Sequence, residues 1–365
     1  MRILHVITML DIGGAERLLV DILPLMRDAG HDVELLLFNG VDTPFKKELG
    51  DKGIKIHELS HGDDVKDYYK EVYDPFHIIR LRKYIHGYDI IHTHNFICQF
   101  YVALAHFLYQ SSTSLVTTEH SSNNRRRTKK CFKPIDKLMY GHYASIICIA
   151  DKTQQNLESY IGKKSNICTI NNGVDVSRFM KPIKDISIKK EFIITMVAGL
   201  RTEKDHDTLL RAMTLLPANY HLLLVGDGVK AQELKELTKM YSISDKVTFM
   251  GPRMDIPEIY EISDIAVLSS HWEGLSLSSI EGMASGRPFI ASDVDGLREI
   301  VGGAGFLFPH GDAQELANKI QWLCEHPNEY REVAKRCQER AKQYDISIMA
   351  ENYLRLYNSI LRLKG

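Results

Sequence analysis

The chain has 365 residues, of which 44% are hydrophobic and 25% are charged, and its formal net charge is −1 at pH 7. This length favours two domains, and the near-neutral charge excludes a general nucleic-acid-binding protein. The six cysteines form no C-x-x-C pair, which is typical of a protein from a reducing cytosol. The sequence shows no signal peptide and no apolar run long enough to span a membrane, so we predict a cytoplasmic protein.

The first half of the chain alternates between apolar runs and helical patterns. RILHVITML is typical of a buried strand, ERLLVDILPLMRDAGH has apolar residues at helical spacing, and DVELLLF is the next strand. This β-α-β unit is the building block of a parallel sheet. Further strands are predicted at YDIIHTH, SLVTTEH and SIICIA.

A second series of the same kind begins near residue 190, with strands at EFIITMVAGL, YHLLLVGDG, KVTFMG, DIAVLSS and RPFIAS. Strands that are apolar throughout are buried on both faces, as in doubly wound sheets. We therefore predict an α/β protein with two Rossmann-like domains, residues 1–175 and 176–345, that face each other across a cleft. Ligands bind such sheets at the carboxyl ends of the strands. The apolar stripe of residues 346–365 predicts a C-terminal helix. Its apolar face could attach to a membrane or, as we favour, pack back on the first domain.

The stretch HWEGLSLSSIEGMASGRPFIASDVDG places two carboxylates, Glu273 and Glu281, around the start of a helix. One interpretation is structural: Ser278 and Glu281 have the spacing of a capping box, and Glu273 is a solvated loop acid. The other is functional, because free N–H groups at a helix start favour a phosphate and Gly274 allows a ligand close to the backbone. A carboxylate at Glu281 could then accept hydrogen bonds from a ribose diol.

The pattern E-G-x-x-x-S-x-x-E-x-M-A-x-G-x-P resembles the E-x7-E signature of retaining GT-B-fold glycosyltransferases of family 4, the large group 1 family. The resemblance covers nearly the whole chain. Seven further motifs stand in the order of the family: GGAER, TTEH, NNGVD, LRTEKDHDTLLRA, LLLVGDG, VTFMGPRMDIPEIYEISDIAVLSS and GFLFPHGD.

For the donor's diphosphate and ribose, the resemblance implies three roles. Gly14 would offer its backbone to the diphosphate, Lys204 would neutralise it, and Glu281 would hold the ribose. The position where the family commonly has Arg holds Gly199 here. We expect Arg201, two residues further on, to reach the same place, since a guanidinium can grip a phosphate bidentately.

For the donor's sugar and base, the resemblance implies that His120 contacts a sugar hydroxyl and that Glu273 lies beside the C3–C4 edge of the sugar. Arg253 would lie near the nucleobase. The backbone of four consecutive residues would contact sugar hydroxyls and phosphate: Gly274, Leu275, Ser276 and Leu277. A second departure, Gly282 where the family has Ala, is interpreted as minor.

These roles predict a retaining glycosyltransferase that needs neither a metal nor another cofactor, because Lys204 and Arg201 supply the cations that oppose charge on the leaving diphosphate. The predicted donor is a UDP-sugar, ahead of a GDP-sugar, that carries a hexose or N-acetylhexosamine. The predicted acceptor is a hydroxyl of a lipid-linked or surface-polysaccharide intermediate, such as a capsule or O-antigen precursor. Two alternatives stay open: a UDP-sugar epimerase of the same fold, and a non-catalytic subunit that binds nucleotide-sugar.

Two other features bear on cofactors, and a third bears on partners. His92 and His94 alternate on a strand, but two histidines make an incomplete metal site, so strand-end packing or an acceptor contact is favoured. GGAER is not the G-x-G-x-x-G of a dinucleotide fold, which argues against NAD.

The segment 125–137 (RRRTKKCFKPIDK) carries seven Lys or Arg and one acid. It is either a solvated loop or, as we predict, a peripheral contact with anionic membrane lipids, with Phe132 in the interface.

Overall fold

The computed structural model describes residues 1–11, 13–62, 72–120, 127 and 129–364. The chain forms two compact units. The first unit is Met1–Gly173 together with Ile346–Gly365, and the second is Val174–Asp345.

The first unit is built on a parallel sheet in the order β3-β2-β1-β4-β5-β6-β7. Its strands are β1 (Arg2–Ile7), β2 (Asp32–Asn39), β3 (Lys55–Ser60), β4 (Ile90–His94), β5 (Ser114–Glu119), β6 (Ser145–Cys148) and β7 (Ile167–Thr169). Its helices are α1 (Gly14–Asp28), α2 (Pro44–Asp51), α3 (His77–Leu81), α4 (Phe96–Leu108), α5 (Lys133–Gly141) and α6 (Asp151–Ile161).

The second unit contains a parallel sheet in the order β10-β9-β8-β11-β12-β13. Its strands are β8 (Phe192–Val197), β9 (Tyr220–Val225), β10 (Val247–Gly251), β11 (Ile265–Leu268), β12 (Phe289–Ser292) and β13 (Phe306–Phe308). Its helices are α7 (Val176–Phe179), α8 (His206–Leu215), α9 (Ala231–Met240), α10 (Ile256–Ile262), α11 (Leu277–Ala284), α12 (Leu297–Val301), α13 (Ala313–Glu325) and α14 (Pro327–Ala341).

Both sheets have the doubly wound order 3-2-1-4-5-6, which confirms the predicted pair of Rossmann-like folds. The strand order reverses between β1 and β4 in the first unit and between β8 and β11 in the second. Loops on the two sides of such a reversal diverge and leave a crevice at the carboxyl ends of the strands. The loops after β8 and β11 are therefore the ones that position a ligand site in the second unit.

The C-terminal helix α15 (Ile346–Arg362) belongs to the first unit, as predicted. Tyr353 and Tyr357 are completely buried on its apolar face, in the same core as Leu19 of α1. This burial explains the apolar stripe of the sequence without a membrane. Among the helices that the structure describes, none combines the length and the apolar character that a membrane crossing requires.

Strand β3 and the helices α2, α3, α4 and α5 of the first unit were not assigned from the sequence. Strand β3 (KIHELS) has only two apolar residues, Ile56 and Leu59, and it lies at the edge of the sheet, where it pairs with one neighbouring strand. A search for continuous apolar runs therefore passes over it.

Candidate functional site

Lys204 and Glu273 lie together at the carboxyl ends of the two central strands of the second unit. Lys204 ends a 3-10 turn after β8, and Glu273 lies in the loop between β11 and α11. The ammonium Nζ of Lys204 is 2.5 Å from Oε1 of Glu273, and the Ser270 hydroxyl donates to the same oxygen at 2.6 Å. Both side chains are largely buried, so the pair is fixed in position. The sequence alone did not identify Ser270, although it is only the second residue after β11.

Backbone contacts join the loops that carry this pair. The His271 N–H donates to the Glu203 carbonyl at 2.8 Å, and the Ser269 hydroxyl donates to the Asp205 carbonyl at 2.8 Å. Gly296, at φ +84°, packs against the carbonyl oxygens of Glu273 and Gly274. A side chain at 296 would overlap these oxygens, so glycine is required there to hold the Glu273 loop.

The start of α11 corrects the predicted capping box. The helix begins at Leu277 and its N-cap is Ser276, so Ser278 lies inside the first turn and Glu281 in the second. Ser276 makes no side-chain capping bond, and the Ser279 hydroxyl donates to its carbonyl at 2.7 Å. The structural interpretation of Glu281 as a helix cap is therefore wrong. The Ser276 side chain does not cap the helix, so the backbone N–H groups of Leu277 and its neighbours point outward from the start of α11.

Arg201 lies beside the position where the family pattern has Arg. Its Nε is 3.5 Å from the place that a Cβ on Gly199 would occupy. Within the described residues, the Arg201 side chain forms no ion pair. The side chain of Arg201 therefore lies next to the space that a side chain at position 199 would enter, beyond the end of β8.

Arg253 is further from the pair. It follows β10, which is two strands away from β8, and its guanidinium donates to Asp255 in two bonds of 2.7 and 2.5 Å. The described contacts do not bring Arg253 together with Lys204 or Glu273.

In the first unit, Gly14 is the first residue of α1, as the resemblance implied, and Gly13 is its N-cap. Glu16 occupies the first turn, and its carboxylate lies against Gly13 in the space that a Cβ would take. Burial raises the pKa of Glu16 to about 7. No role was predicted for this acid from the sequence, yet its side chain covers the helix start that was assigned to a diphosphate. Its position three residues after Gly13 was the available signal.

His120 is half-buried, follows β5 and ends a series of histidines on neighbouring strands, of which His5 and His94 are completely buried. Nε2 of His120 is 3.1 Å from Nδ1 of His94, and Nε2 of His94 is 3.0 Å from Nδ1 of His5. Burial lowers the pKa of His120 to about 4 and that of His5 to about 3, and it lowers the pKa of His94 well below the usual value. All three imidazoles are therefore neutral at pH 7, and each carries a single N–H.

The series assigns a tautomer to each ring. Within the described residues, the buried Nε2 of His5 has no hydrogen-bond partner. An unpaired buried N–H is rarer than an unpaired acceptor, so we infer that His5 carries its proton on Nδ1 and donates to His94. His94 then donates from Nδ1 to His120, whose own proton must lie on Nδ1. His120 is thereby prepared to donate a hydrogen bond to an oxygen atom.

His92 has a packing role, which is one of the two roles expected for the HTH motif. Its ring is completely buried; Nδ1 is 2.5 Å from the Tyr357 hydroxyl and Nε2 is 2.7 Å from Thr118 Oγ1. These contacts attach β4 to α15 and leave both ring nitrogens of His92 engaged.

The basic segment 125–137 is only partly described, since residues 125, 126 and 128 lie outside the described residues. Arg127 is an internal residue: its guanidinium donates to the buried Glu119 carboxylate at 2.7 Å. The following helix α5 has a different character, because Ile135 and Leu138 are exposed beside the exposed Lys133 and Lys137.

Two family models match the chain. Residues 12–178 match "Glycosyltransferase Family 4", and residues 180–344 match "Glycosyl transferases group 1". Together they span both units. The chain belongs to the group 1 glycosyltransferases. It is thus an enzyme that transfers a sugar from a nucleotide-sugar donor.

Curated group 1 glycosyltransferases similar to this chain include two bacterial enzymes. The UDP-Gal:alpha-D-GlcNAc-diphosphoundecaprenol alpha-1,3-galactosyltransferase of Escherichia coli is 24% identical over 87% of each chain. The N,N'-diacetylbacillosaminyl-diphospho-undecaprenol alpha-1,3-N-acetylgalactosaminyltransferase of Campylobacter jejuni is 28% identical over 62% of this chain and 63% of its own.

Among solved structures, Anabaena Alr3699/HepE in complex with UDP and glucose matches with a TM-score of 0.84. Its sequence is 23% identical, and the match covers 98% of this chain and 100% of the other. At this identity the likeness establishes the shared fold, which is the GT-B class expected from the sequence.

Proposed function

We propose that this group 1 glycosyltransferase is a retaining, metal-independent enzyme that moves a hexose or N-acetylhexosamine from a UDP-sugar to a hydroxyl group of a lipid-linked or surface-polysaccharide intermediate. The observation that carries the proposal is the contact between Lys204 and Glu273 beside the start of α11. A cation, a carboxylate and outward-pointing helix N–H groups are the three components that a diphosphate-sugar needs.

Each part of the site has a separate role in this proposal. Lys204, Arg201 and the backbone N–H groups of Gly274–Leu277 oppose the charge that gathers on the leaving diphosphate. Glu273, held by Lys204 and Ser270, accepts from sugar hydroxyls, and Glu281 accepts from the ribose. His120 donates from Nδ1 to a sugar oxygen. Because Lys204 supplies a cation at the site, the transfer step needs no metal.

The proposed reaction is a front-face substitution. The bond between the anomeric carbon and the donor phosphate oxygen breaks through an oxocarbenium-like state, and the acceptor oxygen bonds to the same face of that carbon. The acceptor's proton passes to the departing diphosphate oxygen, so atoms and charges balance. No carboxylate is assigned beneath the anomeric carbon, which is why we propose one displacement rather than two.

The donor and acceptor classes rest on the relatives. UDP appears in the name of the Escherichia coli relative and in the Anabaena complex, and both bacterial relatives carry a diphospho-undecaprenol acceptor in their names. We therefore propose UDP-sugar as donor and a lipid-linked acceptor bound by the first unit.

Peripheral membrane contact is part of the same proposal, through the surface of α5. The side chains of Ile135 and Leu138 are 48% and 70% exposed, next to Lys133 and Lys137. Each basic residue near an anionic surface contributes about 1 kcal/mol of binding. Co-sedimentation with vesicles should rise with their anionic lipid content, and binding that ignores lipid charge would contradict this contact.

The transfer proposal is tested by incubating purified enzyme with a panel of UDP-sugars in EDTA and measuring released UDP and the fresh sugar product by NMR. We expect one donor to release UDP, with the α-anomer of the sugar product appearing first. UDP release should be lost in Lys204→Ala and kept in Lys239→Ala, a control at an exposed lysine of α9. Isomerised UDP-sugar without UDP release would favour the epimerase. A β-anomer would contradict retention, and activity abolished by EDTA would contradict metal independence.

A further inference from the structure

A group of potential metal ligands lies beside Lys204 and Glu273 but has no part in the donor site described above. Asp205 directly follows Lys204, and His271 comes two residues before Glu273. His310 lies in the loop after β13. All three loops leave the sheet of the second unit at the carboxyl ends of its strands, and the three side chains meet there.

The separations within this group suit a small tetrahedral ion. His271 Nδ1 is 2.6 Å from His310 Nε2 and 3.6 Å from Asp205 Oδ2, and His310 Nε2 is 4.0 Å from the same oxygen. Ligands at about 2.0–2.2 Å from a tetrahedral Zn²⁺ lie about 3.3–3.5 Å from one another. The measured distances bracket that value, so small side-chain adjustments would bring three ligand atoms onto one ion.

The carboxylate of this group is held in place by its own surroundings. Asp205 is the N-cap of α8 and adopts φ +45°, and its side chain is only 6% exposed. Its Oδ2 accepts from the Thr208 hydroxyl at 2.7 Å, an outer contact of the kind that orients metal ligands. The His271 and His310 side chains are 32% and 44% exposed, which leaves an open route for an ion.

The donor types select the class of ion. Two imidazoles and one carboxylate suit Zn²⁺ and neighbouring transition metals, whereas Mg²⁺ and Ca²⁺ prefer sites made of oxygen alone. Asp207 does not supply a second carboxylate, since it pairs with Arg211 at 3.1 Å and accepts from the Tyr241 hydroxyl at 2.9 Å.

We propose that Asp205 Oδ2, His271 Nδ1 and His310 Nε2 bind a divalent transition metal of the Zn²⁺ type, with water as the fourth ligand. The ion connects the loops after β8, β11 and β13 and thereby orders the segments that carry Lys204 and Glu273. It takes no part in the transfer step. The metal site stands on ligand geometry alone, and only its effect on donor affinity rests on the proposed function.

The test is a metal titration of the full chain, stripped with EDTA and dialysed, with no nucleotide present. Co²⁺ binding is followed by visible absorption, and Zn²⁺ binding by competition and by the melting temperature. We expect one equivalent to bind, and His310→Ala and His271→Ala each to weaken binding by at least about tenfold. Asp205→Asn, which keeps an acceptor for the helix cap, should also weaken it. His326→Ala is the control, since His326 is an exposed residue of the same unit and its Nδ1 donates to the Trp322 carbonyl at 2.7 Å.

Several results would overturn the proposal. The first is that neither Co²⁺ nor Zn²⁺ binds, and the second is that wild type and both histidine variants bind the metal with equal affinity. The third is that metal binding is lost only when His92 is replaced, which would assign the ion to the buried group of His5, His92 and His94 in the first unit. Zn²⁺ should further tighten UDP binding in wild type but not in His310→Ala, and no difference between them would contradict the ordering of the donor loops. The metal titration uses no nucleotide. Its result therefore tests the metal site even if the proposed donor site is wrong.

Discussion

His94 connects the predicted sugar contact to the interior of the first unit, with one ring nitrogen on His120 and the other on His5. In the inferred tautomers, His94 donates to Nε2 of His120 and so keeps the outward proton of that ring on Nδ1. His94 is therefore a positioning residue, since it acts on the donor only through His120.

We predict that His94→Leu lowers UDP-sugar turnover about tenfold while UDP affinity is unchanged, because loss of one buried hydrogen bond costs about 1.4 kcal/mol. His94→Asn should retain most activity, since its amide can donate from the position of Nδ1. The measurements are kcat and the dissociation constant of UDP for both variants. Equal loss of turnover in the two variants would contradict the assigned role.

At the same scale, sequence motifs found residues that neighbour one another along the chain, such as Glu273 and Glu281. They did not find His5, Ser270 or Glu16. The contact of His5 with His94 depends on the pairing of β1 with β4, and 89 positions separate the two residues along the chain. No local spacing contains that information.

At the scale of elements, α11 explains the departure at Gly282 that the sequence led us to regard as minor. A Cβ on Gly282 would lie 2.6 Å from Cε2 of Phe289 and 3.2 Å from the Cβ of Ala266. The helix packs directly on β11 and β12, so the bulk of Phe289 requires the absence of a side chain at 282.

We predict that Gly282→Ala lowers the free energy of unfolding of the second unit by about 1–3 kcal/mol through overpacking, despite the better helix propensity of Ala. In a Phe289→Leu background the same change should be close to neutral. Both tryptophans, Trp272 and Trp322, lie in the second unit. Urea unfolding followed by tryptophan fluorescence therefore measures this unit, and additive effects of the two changes would contradict the packing account.

Element boundaries were the least predictable feature, and α11 shows why. Ser278 and Glu281 have the spacing of a capping box, yet the helix begins one residue before Ser278. Local propensity allows either start, and the close packing of Gly282 on Phe289 and Ala266 favours the observed one. By contrast, the buried strands were predictable because continuous apolar runs leave few alternatives.

At the scale of the whole molecule, the buried histidines of the first unit predict sensitivity to acid. His5, His92, His94 and His120 all have pKa values lowered chiefly by burial, those of His5 and His120 to about 3 and 4. Below the usual value of 6.5 the unfolded chain binds protons that the folded chain does not. Stability is therefore complete above pH 6.5 and is lost as pH falls from 6.5 towards 4.

Each such histidine should contribute a slope of about 1.4 kcal/mol per pH unit in that window. Urea unfolding of the whole chain followed by circular dichroism at pH 7 and pH 5 measures the loss of stability. His5→Gln should reduce the pH dependence by about one proton, and His86→Gln, an exposed histidine of the same unit, should not. An unchanged slope in His5→Gln would show that His5 is not held neutral.

In the second unit as a whole, the loops after β8 and β11 are proposed to form a nucleotide-sugar site around Lys204, Glu273 and the start of α11. The most direct test is a thermal-shift titration with UDP, GDP and ADP on wild type, Lys204→Ala and Glu281→Ala, with Lys239→Ala and Glu236→Ala as controls. We predict stabilisation of wild type by UDP, of about 2.7 kcal/mol at a concentration of 100 times the dissociation constant. Stabilisation should be lost in both site variants and kept in both controls. A flat response of wild type to every nucleotide, or equal responses in all five proteins, would contradict the account.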